Sequence, residues 1–227
     1  MKYEIKGNDF PVVVCTVENG ESMITESGSM AWMSPNMQME TTTNGGVGKA
    51  IGRMFSGEKL FVNRYTALGD MGTIAFTSSF AGDIMPLDLS DGRQYICQKS
   101  AFLAGTENVQ LSAEFTKKFS SGLFGGEGFI LQRLSGNGIA FIEIDGAAIK
   151  YNLKPGQQIV VSTGHLAMMS ASCQYEVKTI NGAKNILLGG EGIFNTIITG
   201  PGEVVLQTMP VFRLASSIRP YVSTSTS

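Results

Sequence analysis

The sequence is short of charge and of histidine, and it has no excess of basic residues. Charged residues make up 16% of the 227 residues, and the formal net charge is -2, whereas an ordinary soluble chain carries roughly 25% charged residues. A chain this apolar is not expected to be intrinsically disordered. The charge balance also lacks the basic excess of nucleic-acid binders, so an RNA or DNA role would need a local basic patch. One histidine leaves little material for a zinc or histidine-based catalytic site.

Long apolar runs and paired cysteines are absent too. No stretch approaches the run of about 18 apolar residues that a transmembrane helix needs. The N-terminal stretch 1–7 lacks the apolar segment of a signal peptide. Cys15, Cys97 and Cys173 lie far apart and form no Cys-x-x-Cys motif. We therefore expect a cytoplasmic protein with three buried free thiols, and one disulfide with a spare thiol is the alternative.

Glycine is abundant, at 28 residues, and it recurs in a pattern. The heptapeptide FGGEGFI beginning at Phe124 matches LGGEGIF beginning at Leu188, at an offset of 64 residues. The same offset aligns the hexapeptide that begins at Gly92 with the one that begins at Gly156. Because one ungapped offset fits both ends of a long segment, the two segments are interpreted as copies of one unit.

A third, weaker copy precedes these two. The hexapeptide beginning at Gly20 aligns with the one at Gly92 at an offset of 72, and SGEKLF beginning at Ser56 aligns with GGEGFI beginning at Gly125 at an offset of 69. The alternative is shared strand and turn composition in a glycine-rich β protein. The repeats predict three β units followed by a tail, over residues 12–86, 87–151, 152–213 and 214–227.

Each unit contains short apolar runs separated by glycine turns. Examples are the runs 139–144 and 159–169, which are rich in Ile, Val, Phe and Met, and the hairpin signal at Asp145-Gly146. Strand signals at this spacing predict an all-β sandwich or barrel. Only the stretches 47–55 and 113–119 have helical apolar spacing, so we expect few, short helices. One unit of this size would bury its sheets poorly alone, so the three are expected to stack in a pseudo-threefold arrangement and to cover each other's open sheet edges.

The order and spacing of these motifs resemble a conserved bacterial and archaeal family. Its mitochondrial relative is called altered inheritance of mitochondria protein twenty-four. Besides the two GGEG turns, the matching segments are GESMITESGSMA from Gly20, FSGEKLF from Phe55, AFLA from Ala101 and TGPGEVVLQ from Thr199. The resemblance covers residues 12–210, nearly the whole chain.

The resemblance implies a fold and an assembly but no activity. The implied fold is like that of the tryptophan RNA-binding attenuation protein, with bent, jelly-roll-like β repeats that form a trimer or a larger ring. The mitochondrial relative is regarded as a membrane-organisation and assembly factor, so no catalytic residue is carried over. The tryptophan and RNA sites of the distant fold relative are not carried over either, because no matching basic motif recurs at the repeat spacing.

His165 and Cys173 are the residues closest to a nucleophile and base pair. Eight residues apart, they share one face of a strand, but they would stand about 26 Å apart along it. A nucleophile and its base need hydrogen-bond contact. We therefore expect no catalytic dyad.

Two sets of carboxylates are candidates for a cation site. One set follows Gly at the same point of each repeat and could converge about a pseudo-threefold axis, though pinning turns is the favoured role; its members are Glu58, Glu127 and Glu191. The other set has the wrong spacing for an EF-hand loop and is interpreted as solvated turn residues; its members are Asp83, Asp88 and Asp91. The sequence predicts neither a metal nor a cofactor.

Three further features of the sequence bear on function. The segment 43–50 resembles a phosphate-binding loop but lacks its first Gly and has Ala50 in place of the Ser or Thr that holds Mg²⁺. Basic residues in and after the variable stretches form either solvated faces, which are favoured, or a small basic patch; they are Lys49, Arg53, Lys117 and Lys118. Methionines around Trp32 fit core packing or an exposed surface for a partner or lipid; they are Met30, Met33, Met37 and Met39.

These observations favour a non-catalytic structural or assembly scaffold over an enzyme. The scaffold would act as a homo-oligomeric β ring, a homotrimer or larger, with a protein partner or a membrane surface as its target. A small-ligand binding protein with pockets between the repeats is the alternative. RNA binding is less favoured because the chain is acidic.

Overall fold

The described part of the chain is built almost entirely of β-strands, as predicted. The computed structural model describes residues 1–26, 28–43, 61–117, 129–179, 194–218 and 221. These residues form nineteen strands and one α-helix, with short 3₁₀ turns at Lys99–Ala101 and Thr163–His165. The expectation of an all-β protein with few helices is confirmed for this part of the chain.

The strands fall into three consecutive groups after an N-terminal strand. The N-terminal strand is β1 (Lys2–Lys6). The first group comprises β2 (Val12–Val17), β3 (Ser22–Thr25), β4 (Met30–Met33), β5 (Met37–Thr43), β6 (Phe61–Ala67) and β7 (Gly72–Thr77). The second comprises β8 (Gly82–Asp88), β9 (Tyr95–Gln98), β10 (Phe102–Thr106), β11 (Val109–Lys117), β12 (Phe129–Gly136) and β13 (Ile139–Asp145). The third comprises β14 (Ala148–Leu153), β15 (Gln158–Ser162), β16 (Leu166–Ser170), β17 (Gln174–Thr179), β18 (Phe194–Thr199) and β19 (Gly202–Gln207).

The strands pair antiparallel in four sheets. Two sheets have six strands, in the orders β5-β6-β3-β10-β13-β8 and β11-β12-β9-β16-β19-β14. The other two have four and three strands, in the orders β1-β2-β7-β4 and β15-β18-β17. Each six-stranded sheet therefore takes half of its strands from one group and half from the next.

The pairing follows the same scheme in each group. The last strand of a group lies between the first and the third, as β7 lies between β2 and β4, β13 between β8 and β10, and β19 between β14 and β16. The fifth strand lies between the second and the fourth, as β6 lies between β3 and β5. Each group thus contributes two three-stranded halves, and the halves belong to different sheets.

A bulge recurs at the same place in the third strand of each group. The register against the last strand shifts between Met30 and Trp32, between Phe102 and Ala104, and between Leu166 and Met168. A bulge of this kind bends its strand and increases the local twist. The bend lets the third strand pair with its own group on one side and face the preceding group on the other.

The core lies between the sheets and crosses from group to group. One cluster of buried side chains includes Ile24 of the first group, Leu111 of the second and Met168 of the third. Strand β2 shows why the sequence folds in this way, because Val13, Cys15 and Val17 are buried while the residues between them are partly exposed. This period-2 alternation turns one face of the strand to the core.

One of the two segments predicted to be helical is a strand where the structure describes it. The helix predicted over 113–119 is wrong for Ala113–Lys117, which belongs to β11 and pairs with β12. The register of β11 shifts between Ala113 and Phe115, and this irregularity breaks the strict alternation so that the apolar spacing resembles that of a helix. The helix predicted over 47–55 lies outside the described residues.

The helix that is present, α1 (Val211–Ile218), overlaps the segment predicted as a tail. The Val211 N–H donates to Oδ2 of Asp145 at 3.0 Å, which satisfies one of the free donors at the helix start. The ring of Phe212 lies directly over Gly164, where a Cβ atom would come within 1.9 Å of ring carbon Cε1. These two contacts attach the helix to the second and third strand groups.

Replacing Gly164 with Ala should displace helix α1. The added methyl group would overlap the Phe212 ring, and overpacking of this kind costs about 1–3 kcal/mol. We expect faster hydrogen exchange in residues 211–218 and a lower melting temperature. The control is Gly28→Ala, since a Cβ atom at Gly28 would meet nothing within 4 Å. Unchanged exchange in the helix of Gly164→Ala would contradict the attachment.

All three cysteines are free and buried, as predicted. Burial raises the pKa of Cys15 to about 12. Burial also raises the pKa of Cys97, with a further rise from the charge of Glu26, and burial alone raises that of Cys173. Because the thiolate is the reactive form, burial protects these thiols in two ways. It keeps reagents away from the sulfur atom, and it keeps the thiol protonated.

The native protein should therefore resist thiol reagents at a pH of about 8, where an exposed cysteine is partly ionised. All three thiols should react once the protein is unfolded in denaturant. Mass spectrometry of the alkylated chain counts the modified residues. Rapid labelling of the native protein at Cys15 or Cys97 would contradict this description.

Candidate functional site

The structure places His165 and Cys173 apart. The Nδ1 atom of His165 lies 2.8 Å from the carbonyl oxygen of Gln207, and the Cys173 thiol lies 3.7 Å from that of Pro201. Gln207 ends β19 and Pro201 immediately precedes it. Pro201 and Gln207 are six residues apart on extended chain, which places roughly 20 Å between the two sites, so this geometry does not assemble the dyad.

The acidic residues form no cation site within the described part of the chain. Glu58, Glu127 and Glu191 lie outside the described residues. Asp88 accepts the Ser90 N–H at 2.9 Å, and its hydrogen bonds with Ser90 lower its pKa. Asp91 accepts the Arg93 N–H and pairs with its guanidinium group. In the described ranges, no three metal-ligating side chains come together.

Of the four basic residues that could form a patch, the structure describes Lys117. Lys49, Arg53 and Lys118 lie outside the described residues. Lys117 is the last residue of β11. Among the described residues, no helix combines the length and the apolar character that a membrane span requires.

The methionines around Trp32 are divided between two strands of different sheets. Strand β4 ends at Met33, and a turn that includes Ser34 and Asn36 separates it from β5, which begins at Met37. Met37 is buried in the core, whereas Trp32, Met33 and Met39 are exposed. Core packing therefore explains Met37, and the exposed surface in the alternative interpretation is present at Trp32 and Met33 on β4.

Two junctions join the strand groups within the chain. At the first, β10 pairs with β3, with Gly105 opposite Ile24. At the second, β16 pairs with β9, with Met169 opposite Ile96. Ile24 and Ile96 are only 3% and 2% exposed because the next group covers them.

Side-chain hydrogen bonds also cross these junctions. The Nε2 atom of Gln132 donates to Oε2 of Glu26 at 3.1 Å across the first junction. The Nε2 atom of Gln98 donates to the Thr163 carbonyl at 3.0 Å across the second. A junction therefore has backbone pairing, apolar contact and a polar side-chain contact.

The same two edges are open at the ends of the chain. Strand β4 is the counterpart of β10 and β16, because Met33 pairs with Ile74 as Met169 pairs with Val204. Strand β15 is the counterpart of β3 and β9, because Val160 pairs with Ile197 as Ile96 pairs with Arg133. Both β4 and β15 end their sheets, so among the described strands nothing pairs with their outer sides.

The open edges are apolar where their counterparts are buried. Val160 is 61% exposed, Trp32 51% and Met33 37%. The hydroxyl of Ser162, the last residue of β15, is buried without a hydrogen-bond partner among the described residues. A buried hydroxyl without a partner costs free energy.

Charge distinguishes these two strands from the other sheet edges. Every other terminal strand of the four sheets carries at least one charged residue; these strands are β1, β5, β8, β11, β14 and β17. Strands β4, with the sequence MAWM, and β15, with the sequence QIVVS, carry none. Charge on an edge strand opposes pairing with another chain, and β4 and β15 lack this protection. The two edges form the candidate functional site.

The chain is similar to known proteins over nearly its whole length. A family model described as mitochondrial biogenesis AIM24 matches residues 3–209. An uncharacterised protein of Streptococcus pyogenes serotype M6 is 31% identical over 234 aligned positions, which cover 99% of this chain and 92% of the relative. The crystal structure of a protein from Streptococcus pyogenes superposes with a TM-score of 0.79 at 26% identity and covers 97% of this chain and 99% of that one.

Replacing Gln98 with Leu should weaken the second junction. The Thr163 carbonyl would lose a buried donor, which costs about 1–3 kcal/mol. Urea unfolding should show that loss in the free energy of unfolding. The control is Gln110→Leu, on the exposed side of β11, which should change stability by less than about 0.5 kcal/mol. Equal stability of the two variants would show that the bond contributes nothing.

Proposed function

Because this chain belongs to the AIM24 (mitochondrial biogenesis) family, we propose that it is a non-catalytic structural scaffold that assembles into a homo-oligomeric β ring in the cytoplasm. The observation that carries the proposal is the pair of open edges, β4 and β15, which are apolar and free of charge. An exposed apolar edge of this kind is a surface for a protein partner. The partner that fits it is another copy of the chain.

The proposed architecture is three jelly-roll-like units in one chain, each joined to the next by the same kind of junction. The shared pairing scheme and the bulge between Met30 and Trp32, which has counterparts in the other two groups, support it. We place the units at β2–β7, β8–β13 and β14–β19. The boundaries proposed from sequence, after 86 and after 151, would cut through β8 and β14.

The apolar side chains that are buried at the internal junctions also support the scaffold proposal. At the internal junctions Ile24, Ile96 and Met168 are buried against protein, so these places serve cohesion between units. A scaffold needs cohesion of this kind and no reacting group. The ring would then present its outer surface to a protein partner or a membrane.

Native mass spectrometry of the protein, isolated gently from its own source, tests the proposal. We expect one discrete species at an integral multiple of 24.3 kDa. The species should persist in about 1 M salt, because an apolar edge without charge is little affected by screening. A monomer at all micromolar concentrations would overturn the scaffold proposal. A constant additional mass would instead support the small-ligand alternative.

A further inference from the structure

We propose that β15 of one copy pairs antiparallel with β4 of a second copy, so that the last strand group of one molecule joins the first group of the next. The inference rests on the proposed self-assembly and specifies the surface that carries it. The occupant is argued from continuity, because the chain already contains two junctions between the same kinds of strand.

The composition of the sheets supports this pairing. Each internal junction makes a six-stranded sheet from two three-stranded halves. The ends of the chain leave one half with the order β15-β18-β17 and another with the order β4-β7-β2, which is extended by β1. Joining β15 to β4 of another copy would make a seven-stranded sheet, with β1 as the additional strand. No half-sheet would then remain without its complement.

The register of the new pairing follows from the internal junctions. Gly105 lies opposite Ile24 and Met169 lies opposite Ile96, and the counterparts of these pairs are Met33 and Val160. Met33 of one copy should therefore lie opposite Val160 of the next. The neighbouring pairs are Trp32 with Val161, and Ser34 with Ile159.

This pairing would bury the exposed apolar side chains of the two open edges. Val160 would be covered as Ile24 and Ile96 are covered within the chain. Trp32 and Met33, on β4 of the second copy, would be covered by β15 of the first copy. The Ser162 hydroxyl lies at the position of Gln98, which donates across the second junction, so a neighbouring copy could supply its partner.

The contact is head-to-tail because the two edges differ. Within the chain the third strand of a group always meets the second strand of the preceding group, and never its own kind. Two copies joined through β4 and β15 still leave one β4 and one β15 open. A heterologous contact of this type propagates until the rotation between copies closes a ring.

Lysine substitutions at the two edges test the interface. Val160→Lys and Met33→Lys would each place an unpaired charge at the interface between two copies. We expect association to weaken at least about 100-fold, leaving monomers of 24.3 kDa. The matched control is Ile149→Lys, since Ile149 is 43% exposed on β14, an edge strand that the proposal leaves unpaired. Melting temperatures close to that of the unsubstituted protein will show that all three variants fold.

The outcomes separate the two proposals. If the protein assembles and both edge variants remain assembled, the interface is elsewhere and only this inference fails. If the unsubstituted protein is monomeric, the proposed function fails and this inference fails with it. If only Ile149→Lys dissociates, a different sheet edge carries the contact and the inference is overturned.

Cysteine cross-linking tests the register and the head-to-tail direction. Directly opposed residues in an antiparallel pair are close enough for a disulfide. A mixture of Met33→Cys and Val160→Cys proteins should form covalent dimers on mild oxidation, and the double variant should form a ladder up to the ring size. Each single variant alone should stay uncross-linked, since the natural cysteines are buried. A disulfide dimer of Met33→Cys alone would show β4 pairing with β4 and would overturn the direction.

Discussion

The structure depends on the backbone hydrogen-bonding capacity of strand edges. A sheet made of three short strands has two edges, and each edge presents N–H and C=O groups that need partners. Within this chain the problem is solved twice by joining half-sheets of consecutive groups, at β3 with β10 and at β9 with β16. The remaining edges are protected by charge, except for β4 and β15.

The junctions also determine where the core lies. Because each strand group places its two halves in different sheets, the apolar space between sheets is shared by neighbouring groups. Ile24, Leu111 and Met168 come from three groups and pack in one cluster. No group has a complete core of its own, so the stability of each depends on its neighbours, as in other arrays of stacked units.

Sequence reasoning identified the β class because short apolar runs and glycine turns are local signals. The alignment of the segments at Gly20, Gly92 and Gly156 also brings together Ile24, Ile96 and Val160, which occupy corresponding places in the sheets. It did not predict β11 beyond Ala113, because a bulge alters the apolar spacing there. The open edges could not be found from sequence, since exposure of Val160 depends on the pairing of strands distant in the chain. The absence of charge in MAWM and QIVVS was the available signal, but it acquires meaning only once these strands are known to be edges.

The proposed junction between two copies would differ from the two internal junctions in side-chain size. Trp32 occupies the place that Ala104 and Met168 occupy within the chain, and both of those are fully buried. An indole ring at this place would not fit the space filled by an alanine at the first internal junction, because close-packed interiors resist a large increase in side-chain volume. Strand β4 of one molecule is therefore a poor substitute for β10 of another. The difference in size would keep the contact between copies separate from the contacts within a chain, so that assembly does not compete with folding.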